Sequence, residues 1–91
     1  MINWLKKLFS KKERALYYDV VISNDDAKEL EYYWESLYYH SSSKMKFRKQ
    51  LFPSLIKKGL RFYSDSGILF EVTKVMADGG TIQAKRVSDE N

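Results

Sequence analysis

The chain has no cysteine, one histidine, one proline and four glycines among its 91 residues, and each shortage excludes something. Without cysteine there is no disulfide framework, thiol nucleophile or thiolate metal site, which fits a reducing compartment, so a cytoplasmic location is expected. A single histidine, His40, cannot build a usual zinc site, and with no Gly-rich nucleophile turn it completes no Ser/His/Asp arrangement. No P-loop, dinucleotide fingerprint or EF-hand spacing is present. Asp25 and Asp26 stand side by side, but adjacent carboxylates at a helix start answer the orphan amides there before they suggest acid/base or metal chemistry. These absences predict a protein that is not an enzyme and holds neither cofactor nor metal. Apolar runs stop after three or four residues, against roughly 20 for a spanning helix. The opening MINWLKKLF lacks the apolar stretch and cleavage site of a secretory signal.

Acidic residues are also missing where basic ones gather. Residues 41–64 carry Lys44, Lys46, Arg48, Lys49, Lys57, Lys58 and Arg61 with no Asp or Glu, while residues 15–40 carry Asp19, Asp25, Asp26, Glu29, Glu31 and Glu35 against Lys28 alone. The formal net charge is only +4, so its sorting matters more than its sum. A block of one sign attracts polyanions or an acidic partner, and a chain with both blocks can also clasp itself. Aromatic residues are plentiful, with seven Tyr, five Phe and two Trp, and the composition is that of one folded domain over residues 1–91.

Periodicity assigns the elements. Met1, Ile2, Trp4, Leu5, Leu8 and Phe9 share one arc of a helical projection, predicting an amphipathic arm within residues 1–14. The β-branched and aromatic run Leu16 to Ile22 reads as a strand. Ser23 or Asn24 can cap a helix continuing to about Tyr39, with Ala27, Leu30, Trp34 and Leu37 inward. After His40 and three serines, Met45, Phe47, Leu51, Phe52, Leu55 and Ile56 recur at helical spacing, interrupted at Pro53 and closed at Gly59. Residues 60–63, 68–76 and 81–87 read as three antiparallel strands, and 88–91 as a polar tail. The expected fold is therefore α+β: an amphipathic helix, one strand, a helical hairpin and a three-stranded meander, with residues 15–87 forming the core unit and helices covering one small sheet. The expected core includes Leu16, Val20, Ile22, Leu30, Trp34, Leu37, Phe47, Leu51, Leu55, Ile56 and Phe62.

Three surfaces are candidates for function. The basic set Lys44, Lys46, Arg48, Lys49, Lys57, Lys58 and Arg61 could meet phosphates or an acidic partner, unless the acidic helix neutralises it. Tyr32, Glu35 and Tyr39, outside the inward stripe, suit a protein interface, where tyrosine gives large area with a polar tip. Trp4, Leu5, Leu8 and Phe9, flanked by lysines, have the composition of an interfacial membrane helix. The leading expectation is a small regulatory protein, an inhibitor or adaptor, that binds a protein partner. Nucleic-acid binding through residues 41–64 and peripheral membrane anchoring through residues 1–11 are the alternatives, and the sequence leaves homo-oligomerisation open.

Overall fold

The computed structural model describes residues 13–88. The elements run β1 (Leu16–Ser23), α1 (Asn24–Tyr32), β2 (Tyr38–Ser41), β3 (Lys44–Leu51), a 3₁₀ turn (Pro53–Leu55), β4 (Arg61–Tyr63), β5 (Leu69–Val75) and β6 (Thr81–Arg86). All six strands join one sheet in the order β2-β3-β1-β6-β5-β4, with β1 parallel to β6 and every other pair antiparallel. The sheet is curled. Phe47 on β3 meets Phe70 on β5 with ring centroids 5.4 Å apart, although β1 and β6 lie between those strands, and Phe62 on β4 stacks on Phe70 at 6.2 Å.

Alternation sorts each strand into an inner and an outer side. Tyr18, Val20 and Ile22 of β1, Phe47 of β3, Phe70 and Val72 of β5, and Ile82 and Ala84 of β6 fill the inside, joined by Ala27 and Leu30 of α1. Burying a side chain of this size contributes roughly 1.5–3 kcal/mol, so these few residues carry most of the favourable balance in a small chain. Outside, β3 presents Lys44, Lys46, Arg48 and Gln50 opposite Ser23, Val21, Asp19 and Tyr17 of β1. Val21 is 2% exposed although it points outward. Its cross-strand neighbours are Lys46 and Gln83, whose aliphatic stems can cover it.

The helix-rich architecture expected from the sequence is overturned: among the described residues a six-stranded mixed sheet with a single α-helix replaces it. The helix does start at Ser23, whose Oγ accepts from the Asp26 amide at 3.2 Å, but it ends at Tyr32 instead of Tyr39. The second helix of the expected hairpin does not exist. Residues 44–51 are strand because their apolar residues also alternate: Met45, Phe47 and Leu51 share the inner side, and the whole run pairs with β1 in an unbroken register from Leu16↔Leu51 to Ser23↔Lys44. Eight cross-strand pairs outweigh a helical period that Pro53 would have broken in any case. Strands do occupy most of 60–87, and β4, β5 and β6 pair consecutively, but within a sheet that β1, β3 and β2 extend to six strands. Of the expected core, Trp34, Leu16 and Leu55 are exposed, while Tyr18, Ile82 and Ala84 are buried in their place. The amphipathic arm expected over residues 1–14 lies outside the described residues up to position 12, and Glu13, Arg14 and Ala15 are not helical. Among the described residues no helix is long and apolar enough to cross a membrane.

Candidate functional site: an aromatic cleft at the seam of the sheet

The end of α1 builds an unusual feature from ordinary rules. The Trp34 amide donates to the Glu31 carbonyl at 2.9 Å and the Glu35 amide to the Leu30 carbonyl at 3.1 Å, a Schellman ending with Trp34 at the left-handed position. Its φ is +64°, and among the described residues it is the one non-glycine with positive φ. Glycine is the usual occupant here, because an L-residue in this conformation costs roughly 1–2 kcal/mol. Tryptophan accepts that cost and is then left 93% exposed. Neither propensity nor burial explains it, and strain of this sort gathers where a surface is used.

Around Trp34 other aromatics are exposed. Tyr32 and Tyr33 stand edge to face with centroids 5.0 Å apart, and the Arg48 guanidinium lies over the Tyr38 ring, 5.8 Å from its centre. Tyr17, Tyr33, Trp34, Tyr38 and Arg48, with Ser66 across from them, line an open cleft of about 700 Å³. The cleft lies where the curled sheet nearly meets itself. Glu35 accepts hydrogen bonds from the Ser66 amide at 3.2 Å and from the Ser66 hydroxyl. Lys49 pairs with Asp65 at 3.0 Å. Both contacts tie the β2–β3 side to the turn between β4 and β5, holding the aromatic rim on a fixed frame.

One wall of the cleft offers backbone as well as side chains. Strand β2 covers β3 only opposite residues 44–46, so among the described residues no strand pairs with the outer edge of β3 from Phe47 to Leu51. An unpaired edge beside an aromatic cleft can accept one more strand.

The structure divides the basic set between several places. Lys44, Lys46 and Arg48 share the outer side of β3, whereas Lys49 faces the other way toward Asp65. Lys57 and Lys58 sit in the loop before β4, and Arg61 pairs with Glu71 at 3.0 Å on the opposite edge of the sheet. The seven bases therefore do not form one patch. The expected clasp with Glu29, Glu31 or Glu35 is not the one that forms: Asp19 of β1 takes both Lys46 at 3.4 Å and Arg48 at 3.6 Å, and Glu29 pairs instead with Arg86 at 3.8 Å. In the second set, Tyr32 and Tyr39 are exposed and Glu35 is half-buried at the seam. Trp4, Leu5, Leu8 and Phe9 lie outside the described residues.

Sequence reasoning placed Trp34 in the core, against the 93% exposure found, and gave Tyr17 and Tyr38 no part in a site. No glycine lies between Tyr32 and Tyr39, so the segment carries no local signal for a left-handed helix end at Trp34. No three His, Asp or Glu groups stand together as a metal-ligating set among the described residues. Asp78, in the turn between β5 and β6, has its carboxyl held below the usual range, first by the Gly80 amide at 3.0 Å and then by the Thr81 hydroxyl at 2.7 Å. Fully exposed and engaged with its own turn, it shapes that turn and offers no chemistry. Comparison with protein-family models, with curated proteins and with solved structures gives no match.

Proposed function

We propose that this chain is a non-enzymatic recognition module that binds an extended segment of a protein partner along the outer edge of β3, with the aromatic cleft as anchor. The observation that carries the reading is Trp34, strained at φ +64° and 93% exposed. Tryptophan, tyrosine and arginine are the residues that dominate binding energy at protein interfaces, and Trp34, Tyr33, Tyr38 and Arg48 gather here. Main-chain pairing to the free edge would supply affinity, and the cleft would select side chains. The lack of cysteine supports a reducing compartment such as the cytoplasm as the place of action.

Nucleic acid is the second reading, favoured by Lys44, Lys46 and Arg48 beside Tyr17 and Tyr38 on the outer side of the sheet. Asp19 weighs against it, because a carboxylate shared by two of those three bases repels a phosphate track. Panning a displayed peptide library against the protein tests the first reading. Selected peptides should perturb the amides of residues 47–51 and the Trp34 indole in NMR spectra, and Trp34→Ala should weaken them at least about 30-fold. If no peptide is selected while single-stranded oligonucleotides bind with a steep salt dependence, the second reading replaces the first.

A further inference from the structure

We propose that the partner segment bound at the cleft is acidic, and that it leaves the β3 edge to lie across the outer face of the sheet. The inference rests on the cleft being a peptide site, and adds the partner's chemistry to it. The outer face is basic well beyond the block visible in the sequence. Residues paired directly across strands point to the same side of a sheet, and the pairs Lys46↔Val21, Val21↔Gln83 and Gln83↔Lys74 carry one surface from β3 to β5. Lys85, two residues beyond Gln83, joins it and pairs with Glu71, which pairs in turn with Arg61 of β4. From these strands only Asp19 and Glu71 bring negative charge to that surface. Both are engaged, Asp19 by Lys46 at 3.4 Å and Arg48 at 3.6 Å, and Glu71 by Arg61 at 3.0 Å. Lys44, Lys74 and Lys85 have no carboxylate partner among the described residues. A face of one sign with unanswered charge favours a partner of the other.

The edge directs the segment onto this face. It is open only from Phe47 to Leu51, and a strand running along it toward Lys46 meets β2, where Tyr38 stands opposite Lys46. The inner side is filled by Phe47, Phe70 and their neighbours, so the segment can continue only over the outer face, toward Lys46 and Lys44. The carboxylates on the cleft wall do not oppose an acidic ligand, since Glu35 is held by the Ser66 amide and hydroxyl and Asp65 by Lys49 at 3.0 Å. Asp19 discriminates between ligands. A phosphate backbone carries charge at every step and must pass it, whereas an extended peptide places carboxylates at chosen positions, roughly 6.6 Å apart on one side, and can set them against the lysines alone.

Peptides selected from a random displayed library against the full chain test it. Their sequences should be enriched in Asp and Glu over the input library, and replacing those carboxylates by the matching amides in a synthetic copy should weaken binding about tenfold. The triple variant Lys44→Glu, Lys74→Glu, Lys85→Glu should weaken the acidic peptide by a similar factor and leave the amide copy unchanged. Circular dichroism melting checks that the variant folds; if it unfolds, the amide copy decides, because it needs only the unaltered protein. Selected peptides that depend on Trp34 yet show no acidic enrichment, or lose nothing on amide replacement, overturn the inference and leave the cleft reading standing. A folded triple variant that binds the acidic peptide as tightly as the parent also overturns it. Selection of no peptide overturns both. Displacement of the acidic peptide by a single-stranded oligonucleotide at lower concentration than by unlabelled peptide assigns the face to nucleic acid and overturns the inference as well.

Discussion

Two groups of aromatic residues in the described part of the chain differ in where the fold puts them. Phe47, Phe62 and Phe70 lie buried in contact inside the curl, while Tyr17, Tyr33, Trp34 and Tyr38 line an open cleft on its rim. The first group has no polar atom and nowhere better to go. The second group carries hydroxyl and indole tips that tolerate water, and stands on a frame the first group makes rigid. Stability and recognition are thus divided between two sets of rings, so substitutions in one should leave the other's property largely alone.

The harshest way to break that division is Phe47→Ala. Removing a fully buried ring that touches Phe70 should cost about 3–5 kcal/mol, against a total of roughly 5–15 kcal/mol for a domain. Denaturant melts should show a large fall in midpoint, with loss of binding following only because the frame is gone. Glu35→Ala comes next. It removes both hydrogen bonds that close the seam on Ser66 and should cost about 1–2 kcal/mol, while NMR shift changes reach residues on both sides of the cleft. A native-like melt with shifts confined to residues 33–37 would show that the seam does not hold the cleft together.

Trp34→Gly sharpens the comparison by moving the two properties in opposite directions. Glycine relieves the left-handed strain and gives up little burial, so after the extra freedom it brings to the unfolded chain the variant should gain about 0.5–1 kcal/mol. For a chain this size that raises the melting temperature by roughly 2–8 °C, while peptide binding collapses. A fall in melting temperature would mean the indole is structural after all. The smallest effect is at Asp78. Its carboxyl titrates below the usual range in the folded chain, so the turn is favoured at pH above the unfolded value, about 3.9. That benefit is lost as the pH falls through the lower folded value. Asp78→Ala should melt slightly earlier than the parent at neutral pH and coincide with it at strongly acidic pH. A difference that grows on acidification would reverse the sign of this account.

How much of this was legible varies along the chain. The run LYYDVVIS announces a strand through its β-branched and aromatic residues, and β1 occupies it. Ser23 before Asp25 and Asp26 announces a helix start, and the helix begins there. Residues 44–51 mislead because KMKFRKQL satisfies two periods at once: Phe47 and Leu51 are four apart, yet Met45, Phe47 and Leu51 also alternate. Only Lys49 interrupts the alternation, and its partner Asp65 lies 16 residues away, beyond any local window. The cleft was illegible for the same reason. Tyr17, Trp34, Arg48 and Ser66 come from four separate segments that only the curl brings together.

The sequence by itself determined the composition of the parts: a cysteine-free chain that must stand on burial, a capped helix start, strand-forming runs at each end of the described region, and an excess of tyrosine with charge sorted into blocks. Tertiary structure decided which period residues 44–51 obey, which carboxylates meet which bases, and which aromatics stay outside. Those choices depend on pairing between strands distant in the chain, where the gain from closing the sheet around Phe47 and Phe70 exceeds any local preference.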